Sequence, residues 1–208
     1  MPLTLFGSRG SGSAAVEMAL RTASVEYQLV RASSWEEDSA LEQLLEMNPL
    51  GQIPTLRLED GTILTESAAI LIHLGLEHPA SGLLPTISTA RAMDIRGLVY
   101  IAANCYSTVS ITDFPERWTT ATAKPAQTKV RDAARAQLHQ KWNVFSDIFG
   151  MMLRASEPGA LAFLAVVVSQ WSGTRQHLRT ERPSFYETIL QLEAHPRLAA
   201  TLREHRED

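Results

Sequence analysis

Asn48-Pro49-Leu50-Gly51-Gln52-Ile53-Pro54-Thr55-Leu56-Arg57-Leu58, followed by Asp60-Gly61 and by Thr62-Ile63-Leu64-Thr65-Glu66-Ser67-Ala68-Ala69-Ile70, is the stretch that decides the fold. Its first four residues are turn formers by composition. Gln52 to Leu58 reads as a strand with an Ile-Pro pair near its start. Asp60-Gly61 is a two-residue hairpin signal, because both central positions of a type I′ turn need positive φ. Thr62-Ile63-Leu64 is then the next strand, antiparallel to the one before it. A helix from about Glu66 to Glu77 closes the unit. Glu66 and Ser67 stand at its start, where free N–H groups and the positive end of the dipole attract a carboxylate.

Upstream, strand and helix signals continue to alternate. Leu3 to Phe6 is a short strand, and the Gly/Ser-rich stretch Gly7 to Ser13 is a loop. A helix begins near Ser13, which reads as its N-cap. Val25 to Val30 is a second strand by its period-two pattern, and Ala40 to Glu46 a short helix. The order β-α-β-α-β-β-α describes a small mixed sheet with helices packed on it. His78 to Pro85 breaks this pattern and reads as a linker. Beyond it the periodicity is helical throughout. Helices are expected over Ser88–Tyr106 and Thr128–Met152, the latter with one face made by Leu138, Trp142, Phe145, Phe149 and Met152. Further helices are expected over 160–171, 183–193 and 196–204, with a long weakly structured segment from Ser107 to Gln127.

Composition narrows the function. With 19 Lys and Arg against 23 Asp and Glu, and no basic tract, nucleic acid is not an expected partner. The one cysteine, Cys105, rules out an internal disulfide, a CxxC pair and a multi-cysteine metal site, and reads as a packed apolar residue. None of the six histidines forms a metal-like pair at helical spacing, so no metal is expected. Ala160 to Val168 is the longest apolar run, well short of the ~20 residues of a membrane span. The start lacks the basic and apolar regions of a signal peptide, and the expected location is the cytoplasm.

The residues from Asn48 to Leu56, the Asp60-Gly61 pair and the run from Leu64 to Ile70 resemble the glutathione-binding stretch of the cytosolic glutathione transferases, most of all the bacterial members with a segment like Asp113-Phe114-Pro115-Glu116-Arg117-Trp118. The resemblance implies an α/β thioredoxin-like N-terminal domain followed by an all-α C-terminal domain: residues 1–80, a linker at 81–88, and a helical domain at 89–208. It implies a homodimer acting in detoxification, with glutathione as co-substrate and a small, apolar electrophile as the second substrate. It also implies that Ile53-Pro54 is a cis peptide, an option that proline makes cheap. That bond turns the N–H and C=O of Ile53 outward, so that an extended peptide can add to the strand edge. By the same resemblance Ser67 holds the γ-glutamyl carboxylate, Glu66 the ammonium, and Gln52 the glycyl or cysteinyl part.

A thiol of ordinary pKa, about 8.5, must be held as thiolate to react. The family places the responsible residue in the loop after the first strand. Here the serine of the serine-type classes falls on Gly10 and the cysteine of the bacterial class on Gly12. Ser11 and Ser13 flank these places and are the candidate catalytic residues, Ser11 first. A backbone N–H of the glycine-rich turn is the alternative. Tyr100, Asn104, Tyr106, Phe114, Arg117 and Trp118 are the candidates for the second-substrate pocket. Arg117 keeps open a glutathione-dependent isomerase or ether-cleaving enzyme, and the two glycines a non-catalytic binding protein. One further departure concerns stability. The family's N-cap box at the buried helix of the C-terminal domain is replaced by Gly159 and Ala162, which leaves a frayed or rebuilt helix start.

Overall fold

Residues 1–206 are described by the computed structural model. Four short strands form one sheet in the order β2-β1-β3-β4. β1 (Thr4–Gly7) is buried along its whole length and lies between its two neighbours. It runs parallel to β2 (Gln28–Arg31) and antiparallel to β3 (Thr55–Arg57), which pairs antiparallel with β4 (Ile63–Leu64). The helix α1 (Ser13–Thr22) between β1 and β2 provides the crossover that a parallel pair requires. Successive residues of β1 point to opposite faces. Leu5 packs with α1 and with α3 (Ser67–Glu77) in the main core, while Phe6 packs with Ala32 and with Leu44 of α2 (Leu41–Met47) on the other face. This is the expected thioredoxin-like domain.

The boundaries differ from expectation where local hydrogen bonding intervenes. β2 starts at Gln28 rather than Val25, because Val25 N–H is spent on Leu20 C=O (2.9 Å) as α1 unwinds through Ser24 at φ 56°. The hairpin loop holds three residues, not two. Gly61 N–H donates to Leu58 C=O (3.0 Å), Leu58 N–H to Thr62 C=O (2.8 Å), and of Asp60 and Gly61 only the glycine has positive φ. That is a type I turn followed by a left-handed glycine. Ser13 is the first residue of α1 and not its cap, since Gly12 occupies the cap position.

The remainder is helical. α4 (Ser88–Tyr100) passes into a π-helical stretch, Ile101–Tyr106, and then α5 (Ser107–Asp113). The expected loop from 107 to 127 therefore shrinks to 114–123, which includes a 3-10 turn at Pro115–Trp118. Ser and Thr are weak helix formers because their hydroxyls compete for the backbone. Here those hydroxyls bond back along the helix instead, Thr108 to Asn104 C=O (2.6 Å) and Thr112 to Thr108 C=O (2.9 Å). α6 (Lys124–Phe149) starts with proline in its first turn, as the missing N–H permits. α7 (Ala160–Val168) is buried at every residue. α8 (Thr174–Glu181) was not expected, having only Thr174 and Leu178 buried and hence little apolar periodicity. α9 (Pro183–Ala194) and α10 (Pro196–Arg206) follow.

The start of α7 is rebuilt, not frayed. Ala160 N–H donates to Leu83 C=O of the linker at 2.9 Å, and Arg197 Nη1 holds Pro158 C=O at 3.0 Å. A Cβ on Gly159 would stand 2.5 Å from Leu83 O and 3.0 Å from Gly82 O. The capping side chain is absent because the linker backbone occupies its space. Among the described residues no helix is long and apolar enough to cross a membrane.

Candidate functional site

The site is assembled from three loops around the sheet end. The first is built on Asn48. Its buried amide donates to Gln52 C=O (3.0 Å) and to Thr55 Oγ1 (3.1 Å), and its Oδ1 accepts from Leu50 N–H (3.1 Å). Thr55 Oγ1 in turn donates to Gln52 C=O at 2.8 Å. Gly51 takes the left-handed conformation (φ 59°) that closes the turn. These bonds explain the Asn-Pro-x-Gly pattern as a device that fixes the backbone ahead of β3. Ile53-Pro54 is cis. Ile53 N–H and C=O have no hydrogen-bond partner among the described residues, and Gln52 is exposed.

The second loop ends at α3. Glu66 is the cap residue, with φ 66° and ψ 112°, a conformation that L residues seldom adopt. A strained backbone of this kind tends to persist where it positions a group for use. Its side chain is exposed, and Ser67 beside it is 9% exposed, in the first turn of α3.

The third loop, between β1 and α1, turns its serines inward. Ser11 Oγ donates to Ser8 C=O (2.7 Å) and lies 3.0 Å from Ser13 Oγ. Ser13 N–H donates to Ser11 Oγ (3.2 Å), and Ser13 Oγ reaches Ser8 C=O (3.2 Å) and Glu17 Oε1 (3.5 Å). Glu17 is itself buried and accepts from His205 Nε2 of α10 at 2.8 Å. The two serines thus spend their hydroxyls on holding the loop and on the chain of contacts that ties α1 to α10.

A residue from the helical domain completes the site. Tyr106, at the end of the π-helical stretch, brings its hydroxyl against Gly12. A Cβ built on Gly12 would overlap Tyr106 Oη, and it would stand 3.2 Å from the ring carbon Cζ and 3.4 Å from Ser67 Oγ. The hydroxyl is wholly buried and forms no hydrogen bond among the described residues. Burial pushes its pKa up to about 12; Ser67 pulls the other way without reaching hydrogen-bond geometry, and Glu66 adds to the rise. Trp171, which the sequence did not single out, meets the Tyr106 ring edge-on at 5.5 Å between centroids. Only the fold brings that residue to the site, since no local motif marks it.

The other pocket candidates go elsewhere. Tyr100 donates to Lys141 C=O (2.9 Å) and packs on Phe145 and Phe149, inside the helical domain. Asn104 bonds back to Tyr100 C=O (3.2 Å). Phe114, Arg117 and Trp118 are exposed, with the Arg117 guanidinium 4.2 Å from the Phe114 ring centre. Cys105 is buried, and desolvation pushes its thiol up to about 12, which makes it a packed residue and not a nucleophile. No group of three or more metal-ligating side chains occurs among the described residues.

A sheet domain with a cis-proline just ahead of β3, two helix starts at the same end of the sheet and an all-helical remainder defines the thioredoxin-like class with a helical second part. Residues 1–75 match the family "Glutathione S-transferase, N-terminal domain". The uncharacterized GST-like protein YncG of Escherichia coli (strain K12) is 39% identical over 118 residues, 56% of this chain and 57% of that relative's length. The glutathione S-transferase GstA of Escherichia coli O157:H7 is 29% identical over 145 residues, covering 67% of this chain and 72% of that protein. A glutathione transferase homolog from Sulfitobacter, solved with bound glutathione, superposes with a TM-score of 0.78 at 26% identity over 98% of both chains. Residues 1–75 thus carry the N-terminal domain of the glutathione S-transferases, and the whole chain is similar in fold to a bacterial member of that family.

Proposed function

We propose that the protein is a glutathione transferase that adds the glutathione thiolate to a small apolar electrophile. The observation that carries this reading is the convergence of Ser67 at the start of α3, Gly12 at the start of α1 and the unpaired backbone of Ile53. An extended tripeptide fits such a frame. Its backbone adds to the edge at Ile53, beside the buried ring of Pro54. Its γ-glutamyl carboxylate meets the Ser67 hydroxyl and N–H at the α3 start, and its ammonium meets the exposed Glu66 carboxylate. Gln52, exposed and without a side-chain hydrogen bond among the described residues, is in reach of the remaining polar groups. This orientation directs the thiol toward the Gly10–Ser13 loop. Ser11 and Ser13 shape that loop through their own hydrogen bonds. The electrophile then enters against the Tyr106 and Trp171 rings, an apolar wall. Arg117, the residue that would favour an anionic second substrate, lies exposed over Phe114 instead.

Calorimetric titration with glutathione tests the reading. Saturable binding is expected. Ser67→Ala removes a hydrogen bond to a charged group, worth about 1.5–3 kcal/mol, and so weakens binding by roughly 10- to 100-fold. A wild-type protein that shows no binding at millimolar glutathione sinks the assignment.

A further inference from the structure

The site has an unusual feature. The two loop positions that the family resemblance marks for a thiol-activating side chain are both glycines, Gly10 and Gly12. The two glycines are not alike. Around Gly10 a Cβ would meet nothing within 4 Å, although its φ of 67° would strain any side chain. Gly12 has φ −64° and ψ −13°, a conformation open to every residue. What excludes a side chain there is the Tyr106 hydroxyl, which occupies the space.

We propose that Tyr106 supplies the hydroxyl that holds the glutathione thiolate, so that the stabilising group comes from the helical domain instead of the loop after β1. The proposal rests on the glutathione reading above. Four observations support it. The Tyr106 oxygen stands at the cap of α1, where the helix dipole already favours an anion. It is wholly buried and has no hydrogen-bond partner among the described residues, a state that a native structure keeps at a cost unless a ligand relieves it. It lies beside Ser67, the residue that would anchor the other end of the tripeptide. Finally, the residues leading to it, Ile101–Tyr106, are π-helical, a local insertion frequent at functional sites. Burial keeps the phenol protonated across the neutral range. Tyr106 therefore acts as a hydrogen-bond donor and not as a base. The thiol proton leaves to solvent water, the Tyr106 O–H stays intact, and it donates to the sulfur anion.

The ionisation of bound glutathione reads this directly, by ultraviolet absorbance of the thiolate as pH is varied at saturating glutathione. In the wild type the bound thiol should titrate well below the free value of about 8.5. Tyr106→Phe keeps the ring against Trp171 and removes only the oxygen. Its bound thiol should titrate about one unit higher or more, leaving roughly tenfold less thiolate near neutral pH. Turnover falls to match, while glutathione affinity measured by calorimetry moves little. The double variant Gly12→Ser/Tyr106→Phe returns a hydroxyl from the other side. With the oxygen gone, the nearest ring carbon is 3.2 Å from the new Cβ, a separation a small shift of the ring relieves. The double variant should titrate lower than Tyr106→Phe alone. A bound thiol that titrates alike in wild type and Tyr106→Phe overturns the proposal, as does a double variant that recovers nothing. Failure of the wild type to bind glutathione at all would instead remove the underlying assignment, and the proposal with it.

Discussion

Gly159→Ser is the substitution a family comparison would recommend, because it restores the missing N-cap of α7. The structure predicts that it destabilises. Exchanging Gly for Ser at an N-cap gains only a few tenths of a kcal/mol. Against this, the new Cβ stands 2.5 Å from Leu83 O and 3.0 Å from Gly82 O, both backbone atoms that no rotamer change can move. The linker must withdraw from the helix start. Doing so stretches the Ala160 N–H to Leu83 C=O bond, now 2.9 Å, which is worth about 1 kcal/mol. Overpacking of this kind typically costs about 1–3 kcal/mol. The expected net loss is about 1–3 kcal/mol, or roughly 2–4 °C in Tm for each kcal/mol in a chain of this size. Urea unfolding with an unchanged m-value measures it. Gly159→Ala, which brings the same Cβ without the hydroxyl, should be as unstable or slightly worse. A Gly159→Ser protein as stable as the wild type, or more so, refutes the close-approach explanation.

Other perturbations follow from the same reading of contacts. Asn48→Ala removes one of the two donors to Gln52 C=O and the acceptor of Leu50 N–H, and should cost about 1–3 kcal/mol in chemical unfolding and weaken glutathione binding by loosening the turn ahead of Ile53. His205→Ala leaves the buried Glu17 carboxylate, among the described residues, with Ser13 at 3.5 Å as its hydrogen-bond partner, so thermal melts should show a loss of about 1–3 kcal/mol. Asp94, beside a cavity of about 330 Å³ lined by Leu84, Pro85, Met152 and Leu161, has its carboxyl pushed up to about 6 by desolvation. A folded pKa above the unfolded one favours folding only while the group is protonated, so the benefit is full below about pH 4 and lost as pH rises through about 6. Asp94→Asn should therefore gain on the order of 1 kcal/mol at pH 7.5, after allowance for solvent screening, and show no gain below pH 4; a gain independent of pH would contradict the assignment.

What was legible in the sequence was what local chemistry determines. Asn48-Pro49-Leu50-Gly51 announces a turn because its bonds close within seven residues, from Asn48 to Thr55. Ile53-Pro54 and Glu66-Ser67 carry their meaning in the dipeptide itself, and both lie where expected. Errors arose where partners are distant or where side chains mask a helix. The Ser/Thr-rich residues 107–113 read as loop because their hydroxyls can compete with the backbone, yet in the folded chain they bond back along α5. α8 carries too few apolar positions to show a period. The sequence offers Tyr106 only as a candidate for the second-substrate pocket. Its approach to Gly12 was not legible, since it depends on the π-helical stretch and on the docking of two domains.

Gly12 and Gly159 share a physical cause that the sequence hid. Each stands where the family has a working side chain, and each reads in isolation as a loss. In both cases a distant group of the chain fills the space: the Tyr106 hydroxyl at Gly12, the Leu83 carbonyl at Gly159. The lost function is also answered by the intruding group. Leu83 C=O takes the first N–H of α7, so the helix start is bonded without a cap. A hydroxyl from Tyr106 stands at the α1 start, so the site has an O–H donor without a serine or cysteine at Gly12. The two exchanges differ in one respect that matters for function. The first trades one local bond for another and affects stability alone. The second, on the proposal above, moves the donor onto the other domain, so that the geometry at a bound sulfur would depend on how α1 and the helices beyond the linker are held together. The buried Glu17–His205 contact is one of the ties that fix that docking. A glutathione transferase built this way would lose thiolate stabilisation whenever the domains shift, even with every glutathione-binding residue in place. His205→Ala should therefore raise the pKa of the bound thiol as well as lower the melting temperature. A variant that melts earlier but keeps the wild-type thiol pKa would show that domain docking and thiol activation are independent.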